Sequence, residues 1–273
     1  MVSLYFALRF IKKIRGNKMT LVNKTIVVTG VSSGIGADVA RLARFHGARV
    51  IGVDRNEPSM TLDGFVQIDL GNPTAIDAAL AALPEKIDAL CNIAGVPGTA
   101  DAELVGRVNY LGLRHLSEAL IPRFNQGASI VNVASVLGIE WPDRLEKHKA
   151  LAGTSYFEEG VTWLKKNPVP QETCYQYFKE ALIVWSTQQA FTWFRDHGVR
   201  MNCVAPGPVF TPILGDFVSM LGEERVQKDA ERMLRPAYSD EVAEVIAFLC
   251  SDASCWVCGV NIPVDGGLAS TYL

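Results

Sequence analysis

A glycine-rich turn between an apolar strand and an amphipathic helix is the feature that most constrains the fold of this chain. The β-branched run TIVVT at residues 25–29 leads into Gly30, Gly34 and Gly36, and residues with apolar helical spacing follow. Glycines let the backbone of such a turn approach a pyrophosphate, which the free N–H groups of the helix N-terminus attract. Because tight turns also use glycine without any ligand, the predicted dinucleotide site depends on the motifs that follow.

Strands and helices alternate along the rest of the chain. The predicted strands are residues 25–30, 49–54, 65–70, 88–95, 129–135, 199–206 and 260–267, and helices are predicted at 36–47, 73–83, 101–124, 173–197 and 239–252. Apolar strands joined by crossover helices are typical of a parallel sheet that is covered on both faces. The fold class is therefore α/β: a single Rossmann-type domain with a doubly wound, parallel, seven-stranded sheet.

One segment does not fit the alternation. Residues 140–171 have a mostly helical pattern at a place where a short connection is expected, which predicts a helical insertion. A second segment, residues 212–235, is predicted to be a substrate loop that closes over the site. Aromatic residues near these segments either line a substrate pocket or pack in the core: Trp141, Tyr156, Phe157, Trp163, Phe210 and Phe217.

Charge and composition exclude several classes of protein. The chain has 26 Lys and Arg residues against 29 Asp and Glu residues, so it has no basic excess for a nucleic acid partner. No apolar run is long enough to span a bilayer. Six scattered cysteines in a large chain predict a reducing, cytoplasmic compartment. No cysteine or histidine pair complements Cys255 and Cys258 at zinc spacing, so no metal site is predicted.

The N-terminal residues 1–18 combine apolar positions at helical spacing with several Lys and Arg side chains. We favour a frayed leader ahead of Met19, and contact with a membrane or a partner is the alternative. The domain boundaries follow as an N-terminal extension at residues 1–22 and a dinucleotide-binding catalytic domain at residues 23–273.

Asp54 ends the second predicted strand, where a carboxylate can accept hydrogen bonds from the adenosine ribose hydroxyls. Its negative charge repels a 2′-phosphate, so NAD is favoured over NADP. The neighbouring Arg55 could pair with that phosphate and keeps NADP open as the alternative.

Taken in order, these motifs resemble those of the short-chain dehydrogenase/reductase family. The resemblance rests on TGVSSGIG at 29–36, NIAG at 92–95, Asn109, Ser135, Tyr175, Lys179 and Pro206-Gly207. Ile93 is a mild departure from the usual NNAG. The long segment between Ser135 and Tyr175 is similar to the bacterial branch that contains 3α-hydroxysteroid dehydrogenases and coniferyl-alcohol dehydrogenases.

Tyr175 and Lys179 lie four residues apart and therefore project from one face of a helix. A nearby ammonium is expected to lower the phenol pKa toward the working pH, as a general base for alcohol oxidation requires. Ser135 follows a strand at the sheet edge where ligands of such folds bind, and its hydroxyl can hold the substrate oxygen. The other interpretation of Ser135 is a turn or capping serine.

The resemblance implies further residue roles. Asn109 corresponds to a fourth catalytic member, which stabilises a helix distortion and a water that leads to the lysine. Lys179 bonds the nicotinamide ribose and helps to relay the proton. The residues expected to bind the cofactor are Gly30, Ser33, Gly34, Ile35, Gly36, Asp54, Asp69, Leu70, Asn92, Ala94, Gly95, Tyr175, Lys179, Pro206, Val209 and Thr211.

The resulting hypothesis is an NAD-dependent oxidoreductase that interconverts an alcohol and its carbonyl. The expected substrate is a bulky apolar alcohol such as a hydroxysteroid or an aryl or benzylic alcohol, and the expected assembly is a homodimer or homotetramer. A non-catalytic NAD-binding or sensing module is the alternative from another class. That alternative, like a lyase on the same fold, predicts changes to the Tyr175 and Lys179 motif or to the glycine turn, and neither change is present.

Overall fold

The structure is a computed structural model that describes residues 20–272. The predicted leader at residues 1–18 lies outside this range. Leu21, which we placed in the N-terminal extension, is 1% exposed and packs in the core beside the first strand. Within residues 20–272, no helix is both long and apolar enough to cross a membrane.

Seven parallel strands form one sheet in the order β3-β2-β1-β4-β5-β6-β7, which confirms the predicted fold class. The strands are β1 Thr25–Thr29, β2 Arg49–Asp54, β3 Gly64–Gln67, β4 Ile87–Asn92, β5 Phe124–Val133, β6 Arg200–Pro206 and β7 Asn261–Val264. The order reverses between β1 and β4, and in open α/β sheets the crevice at such a point binds ligands.

The helices lie between the strands in the chain. They are α1 Gly34–Phe45, α2 Pro73–Ala79, α3 Ala102–Gly106, α4 Leu113–Leu120, α5 Leu145–Ala152, α6 Phe157–Lys166, α7 Cys174–His197, α8 Leu214–Leu221, α9 Glu223–Arg232 and α10 Ser239–Cys250. Short 3₁₀ turns occupy Leu80–Ala82, Ile121–Arg123, Val136–Gly138, Trp141–Arg144, Gln171–Thr173, Asp252–Ser254 and Leu268–Tyr272. The helix predicted at 101–124 is interrupted by a π-helical turn at Arg107–Gly112.

Apolar side chains cover both faces of the sheet. Along β1, Val27 packs in one buried cluster with Leu182 of α7, whereas Ile26 and Val28 pack in the other with Ile246 of α10. Neighbouring strand residues point to opposite faces, so a run of β-branched residues fills both clusters. Burial of each large side chain contributes roughly 1.5–3 kcal/mol, and this fixes the strand ends that carry the site.

The predicted insertion contains helices α5 and α6, and a buried ionic cluster ties it to α7. Glu180 of α7 has no exposed side-chain surface and accepts hydrogen bonds from Arg144 Nε at 2.7 Å and from His148 Nε2 at 2.7 Å. A second bond joins Arg144 Nη2 to Glu180 Oε1 at 2.5 Å. Burial opposes ionisation of Glu180, but the bonds from Arg144 and His148 outweigh it and lower the carboxyl pKa.

Replacing Glu180 with glutamine is expected to destabilise the protein by about 1–3 kcal/mol, because the change weakens the buried hydrogen bonds from Arg144 and His148. Urea unfolding measures this loss. Glu146→Gln is the matched control, since it removes only the exposed pair with Lys149 and should cost less than about 1 kcal/mol. Similar small losses for both variants would contradict the anchoring role of Glu180.

Candidate active site

The glycine turn has the backbone geometry of a phosphate cradle. Gly30 has φ +71° and Gly34 has φ +52°, a region that favours glycine. A Cβ on Gly36 would lie 2.0 Å from the Gly30 carbonyl oxygen, so the turn and helix α1 approach too closely for any side chain there. Ser33 makes no side-chain cap and the first turn of α1 has no acidic residue. The free N–H groups of α1 therefore fit a pyrophosphate.

Asp54 lies at the carboxyl end of β2, beside this turn. One carboxylate oxygen accepts from Ser32 N at 3.0 Å and the other from Asn56 N at 3.0 Å. Each oxygen keeps a second lone pair for a ribose hydroxyl. The Arg55 side chain, which could pair with the 2′-phosphate of NADP, follows β2 and is exposed to solvent.

Asp69 and Leu70 follow strand β3 in the chain. The Asp69 carboxylate accepts from Gly71 N at 2.8 Å, and Leu70 is buried with 5% of its surface exposed. Neither residue lines the large cavity described below. The structure therefore assigns their side chains to a turn and to the core, near the strand ends where an adenine is expected.

Asn92 is buried within the sheet. Its amide nitrogen donates to Ser117 Oγ and to Asn132 Oδ1, both at 2.8 Å, which joins β4 to β5 and to α4. The side chain has no exposed surface, so only the backbone at this position can face a ligand. The adjacent Ala94 N donates to Thr29 Oγ1 at 3.0 Å, which sets the end of β4 against the glycine turn.

Tyr175, Ser135 and Lys179 are brought together at the carboxyl edge of the sheet. Ser135, which follows β5, lines the same cavity as Tyr175, and its hydroxyl lowers the pKa of the Tyr175 phenol. The Lys179 ammonium lies 5.5 Å from the centre of the Tyr175 ring and donates to the Val133 carbonyl at 2.7 Å. A hydroxyl pair beside a buried cation is suited to holding and protonating an oxygen that develops negative charge.

The expected lowering of the Tyr175 pKa is wrong for the site as described. Burial raises the phenol pKa above its usual value and outweighs the lowering by the Ser135 hydroxyl. Lys179 does not lower the phenol pKa, because its ammonium is bonded to Val133 rather than to the phenol. Burial also lowers the pKa of Lys179 to about 8. At neutral pH the site therefore has a protonated phenol next to a charged lysine.

Asn109 lies in the π-helical turn and is completely buried. Its amide nitrogen donates to the Val96 carbonyl at 2.9 Å, and its oxygen accepts from Val96 N at 2.7 Å. The helix distortion implied by the family resemblance is thus present at this residue. Because both ends of the amide bond the backbone after β4, Asn109 positions the site wall that includes Gly95.

The carboxyl ends of β4, β5 and β6 open into a cavity of about 950 Å³. Helices α8 and α9, within the predicted substrate loop, and the C-terminal turn supply its other walls. Of the aromatic residues proposed for a pocket, Phe217 lines it and its ring stands edge-on to Tyr175 at 5.2 Å. The predicted site residues that line the cavity are Ile35, Gly95, Ser135, Tyr175, Lys179, Pro206, Val209 and Thr211.

The cavity also contains polar residues that the sequence analysis missed. Gln176 and Arg144 both line it. The place of Gln176 directly after Tyr175 was the available sequence signal, whereas nothing in the sequence pairs Arg144 of the insertion with this helix. Among residues 20–272, no group of three or more metal-ligating side chains is found.

Comparisons with known proteins give matches over most of the chain. Residues 24–144 match a family model described as short chain dehydrogenase, and residues 161–269 match one described as enoyl-(acyl carrier protein) reductase. A coniferyl-alcohol dehydrogenase of Pseudomonas sp. is 68% identical over 255 residues, which cover 93% of this chain and 100% of that protein.

Two further matches extend this likeness. The 3-alpha-hydroxysteroid dehydrogenase/carbonyl reductase of Comamonas testosteroni is 31% identical over 89% of this chain and 95% of that protein. A crystal structure of the 3-alpha-hydroxysteroid dehydrogenase from Pseudomonas sp. B-0831, complexed with NADH, has a TM-score of 0.75 at 30% identity. It covers 91% of this chain and 98% of that one.

Proposed function

This chain belongs to the short-chain dehydrogenase/reductase family and is an alcohol dehydrogenase acting on CH–OH groups, and we propose that it oxidises cinnamyl-type aryl alcohols, coniferyl alcohol among them, with NAD. The observation that carries this proposal is the Tyr175 and Ser135 hydroxyl pair at the wall of a large cavity with mostly apolar residues. The close relative named for coniferyl alcohol supports the aryl substrate over a hydroxysteroid. The alternative of a non-catalytic binding module is set aside.

The proposed chemistry divides between the two hydroxyls and the lysine. Bound NAD supplies the hydride acceptor for the carbinol carbon. Ser135 holds the substrate oxygen, and Tyr175 in its phenolate form takes the hydroxyl proton as the carbonyl forms. In the reverse direction the Tyr175 phenol donates that proton. Lys179, whose ammonium lies 5.5 Å from the centre of the Tyr175 ring, passes the proton onward to solvent.

The cofactor is proposed to be held along the strand ends. The glycine turn cradles the pyrophosphate through backbone N–H groups, and Asp54 accepts hydrogen bonds from the adenosine ribose. Asp69 and Leu70 flank the adenine, and Pro206, Val209 and Thr211 flank the nicotinamide end. The fit of the turn supports this arrangement, because Gly34 lies close to Thr211: a Cβ on Gly34 would be 3.1 Å from Thr211 Cγ2.

Wild-type protein is expected to prefer NAD over NADP by at least about 100-fold in kcat/KM, because a 2′-phosphate would lie beside the Asp54 carboxylate. Asp54→Ala should lower kcat/KM for NAD by about 10-fold and raise it for NADP. Initial rates with each cofactor measure both effects. Arg55→Ala is the control and should leave the NAD preference in place. An unchanged preference in Asp54→Ala would contradict the assignment.

The proposed activity is tested by initial rates of reduced-nicotinamide formation. The panel contains coniferyl, cinnamyl and benzyl alcohols, a cyclic secondary alcohol and a 3α-hydroxysteroid. We expect the highest kcat/KM with the cinnamyl-type alcohols. Turnover of the steroid alone would replace the aryl substrate by a hydroxysteroid, and no turnover of any alcohol would refute the proposed activity.

We also propose a cytoplasmic homodimer or homotetramer. All six cysteines of the chain are free, which fits a reducing compartment. Helix α7 offers one assembly face, but α5 of the insertion packs on its first half through His148 and Glu180. This packing favours the dimer. Light scattering of the purified protein measures the mass, and a monomer would contradict the proposal.

A further inference from the structure

Asp229 of helix α9 is a buried carboxylate in a segment that is otherwise poorly buried. The structure describes every residue of α8 and α9, and Asp229 alone among them is buried, with 8% of its surface exposed. Apolar residues of this segment, such as Leu221 and Val226, line the cavity instead of packing in the core. Few core contacts therefore hold the two helices over the site, and the partner of Asp229 has a large effect on their position.

That partner is Tyr272 in the C-terminal turn. The Tyr272 hydroxyl donates a hydrogen bond to Asp229 Oδ1. Both residues line the cavity, so the bond joins two parts of its wall that are 43 residues apart in the chain. Burial and the nearby carboxylate raise the pKa of Tyr272, so the phenol remains a hydrogen-bond donor at neutral pH.

Two arginines of α9 lie beside this bond. The Arg232 guanidinium is 4.8 Å from the centre of the Tyr272 ring, and Arg225 Nε is 3.9 Å from Asp229 Oδ2. The Arg225 side chain is half exposed, and ion pairs of this kind contribute little. A hydrogen bond to a carboxylate is among the strong ones. The Tyr272 hydroxyl is therefore the main polar contact of Asp229.

The other end of the segment is joined to the body of the protein by a weaker contact. Thr99, in the loop after β4, donates to Asp216 of α8 at 2.9 Å, and this bond is exposed to solvent. Gly222 separates α8 from α9 and has φ +81°, and a Cβ on it would meet no atom within 4 Å. The bond on α8 thus lies across an open glycine turn from α9 and does not replace the bond to Tyr272.

We propose that Tyr272 is a positioning residue for the alcohol substrate, because its hydrogen bond to Asp229 holds α9 against the C-terminal turn and closes the cavity wall. We call this bond the latch. The inference rests on the proposed function for what the cavity holds, whereas the latch itself requires no activity. With the latch formed, the apolar side chains of α8 and α9 enclose the substrate and exclude water. Without it, one wall of the cavity is free to move away.

The first test follows the latch without turnover. Trypsin cleaves a helix only after it opens locally, and α9 contains cleavage sites at Arg225 and Arg232. Tyr272→Phe keeps the ring and removes the hydroxyl, so cleavage within α9 should become about 10-fold faster. Thr271→Val is the matched control, because that hydroxyl bonds the Leu268 carbonyl of its own turn. It should be cleaved at the wild-type rate.

Changes at Asp229 identify the bond itself. Asp229→Asn keeps an acceptor oxygen for Tyr272 and should be cleaved within about three-fold of the wild-type rate, whereas Asp229→Leu should match Tyr272→Phe. The double variant Tyr272→Phe, Asp229→Leu should be cleaved no faster than either single variant, because both changes remove one bond. Effects that add in the double variant would overturn the latch.

Kinetics connect the latch to the substrate. Tyr272→Phe should raise KM for cinnamyl alcohol by about 3- to 10-fold and leave kcat within about two-fold, since the change weakens enclosure of the substrate and not the chemistry. Faster cleavage with an unchanged KM would overturn the positioning role. A wild-type cleavage rate in Tyr272→Phe refutes the latch even if the protein oxidises cinnamyl alcohol. Absence of turnover in wild-type protein refutes the proposed function alone.

Discussion

Replacing Tyr175 with phenylalanine is expected to lower kcat for alcohol oxidation by about 10³-fold, because the change removes the group that exchanges the substrate proton. The ring packing against Phe217 does not require the hydroxyl, so the fold should be retained. Binding of NADH, followed by its fluorescence, should be unchanged within about two-fold. Loss of turnover without loss of binding identifies a step in the chemistry.

Tyr177→Phe is the matched control for this change. Tyr177 lies on the same helix and its ring packs against His148 of the insertion, away from Ser135. It should keep wild-type kcat. Activity that persists in Tyr175→Phe, or an equal loss in Tyr177→Phe, would contradict the role of Tyr175.

Replacing Lys179 with methionine is expected to separate activity from stability. Loss of Lys179 should lower kcat by about 10²-fold, since it removes the group proposed to pass the proton onward from Tyr175. At pH 7 the same variant should be more stable by about 1–2 kcal/mol, because the folded protein no longer buries an ammonium. The Val133 carbonyl, which loses its donor, limits the gain.

The pH dependence of this stability difference has a definite sign. Lys179 has a pKa of about 8 in the folded protein against 10.5 for an ordinary lysine. Between these values the unfolded chain binds a proton that the folded protein has lost, so wild-type stability from this group rises with pH. The advantage of Lys179→Met should shrink between pH 7 and pH 10 in urea unfolding. An advantage independent of pH would contradict the burial of a charged lysine.

The sheet and most of the site could be predicted from the sequence because their causes are local. The β-branched run at 25–29 and the glycines after it fix a strand and a turn with few alternatives. Tyr175 and Lys179 are placed on one face by helical spacing alone. The family resemblance added Ser135, which follows a strand distant in sequence, and the structure places it with Tyr175 in the lining of one cavity.

Other features depend on contacts between distant segments, which spacing does not reveal. The bonds from Arg144 and His148 to Glu180 join the insertion to α7, and a sequence pattern gives no reason to pair them. The Asn92 amide nitrogen donates to Asn132 of β5 and to Ser117 of α4, so this side chain does not face a ligand. The pKa of Tyr175 was predicted in the wrong direction because helical spacing shows that Lys179 is near but not that Val133 holds its ammonium.

The most direct test of the account is the path of the hydride. Cinnamyl alcohol carrying deuterium at the carbinol carbon is oxidised with NAD, and the reduced cofactor is analysed by mass spectrometry. We expect cinnamaldehyde and a cofactor that carries the deuterium with wild-type protein, and almost none of either with Tyr175→Phe. Reduced cofactor without deuterium, or labelled cofactor formed equally by Tyr175→Phe, would contradict an alcohol dehydrogenase that works through Tyr175.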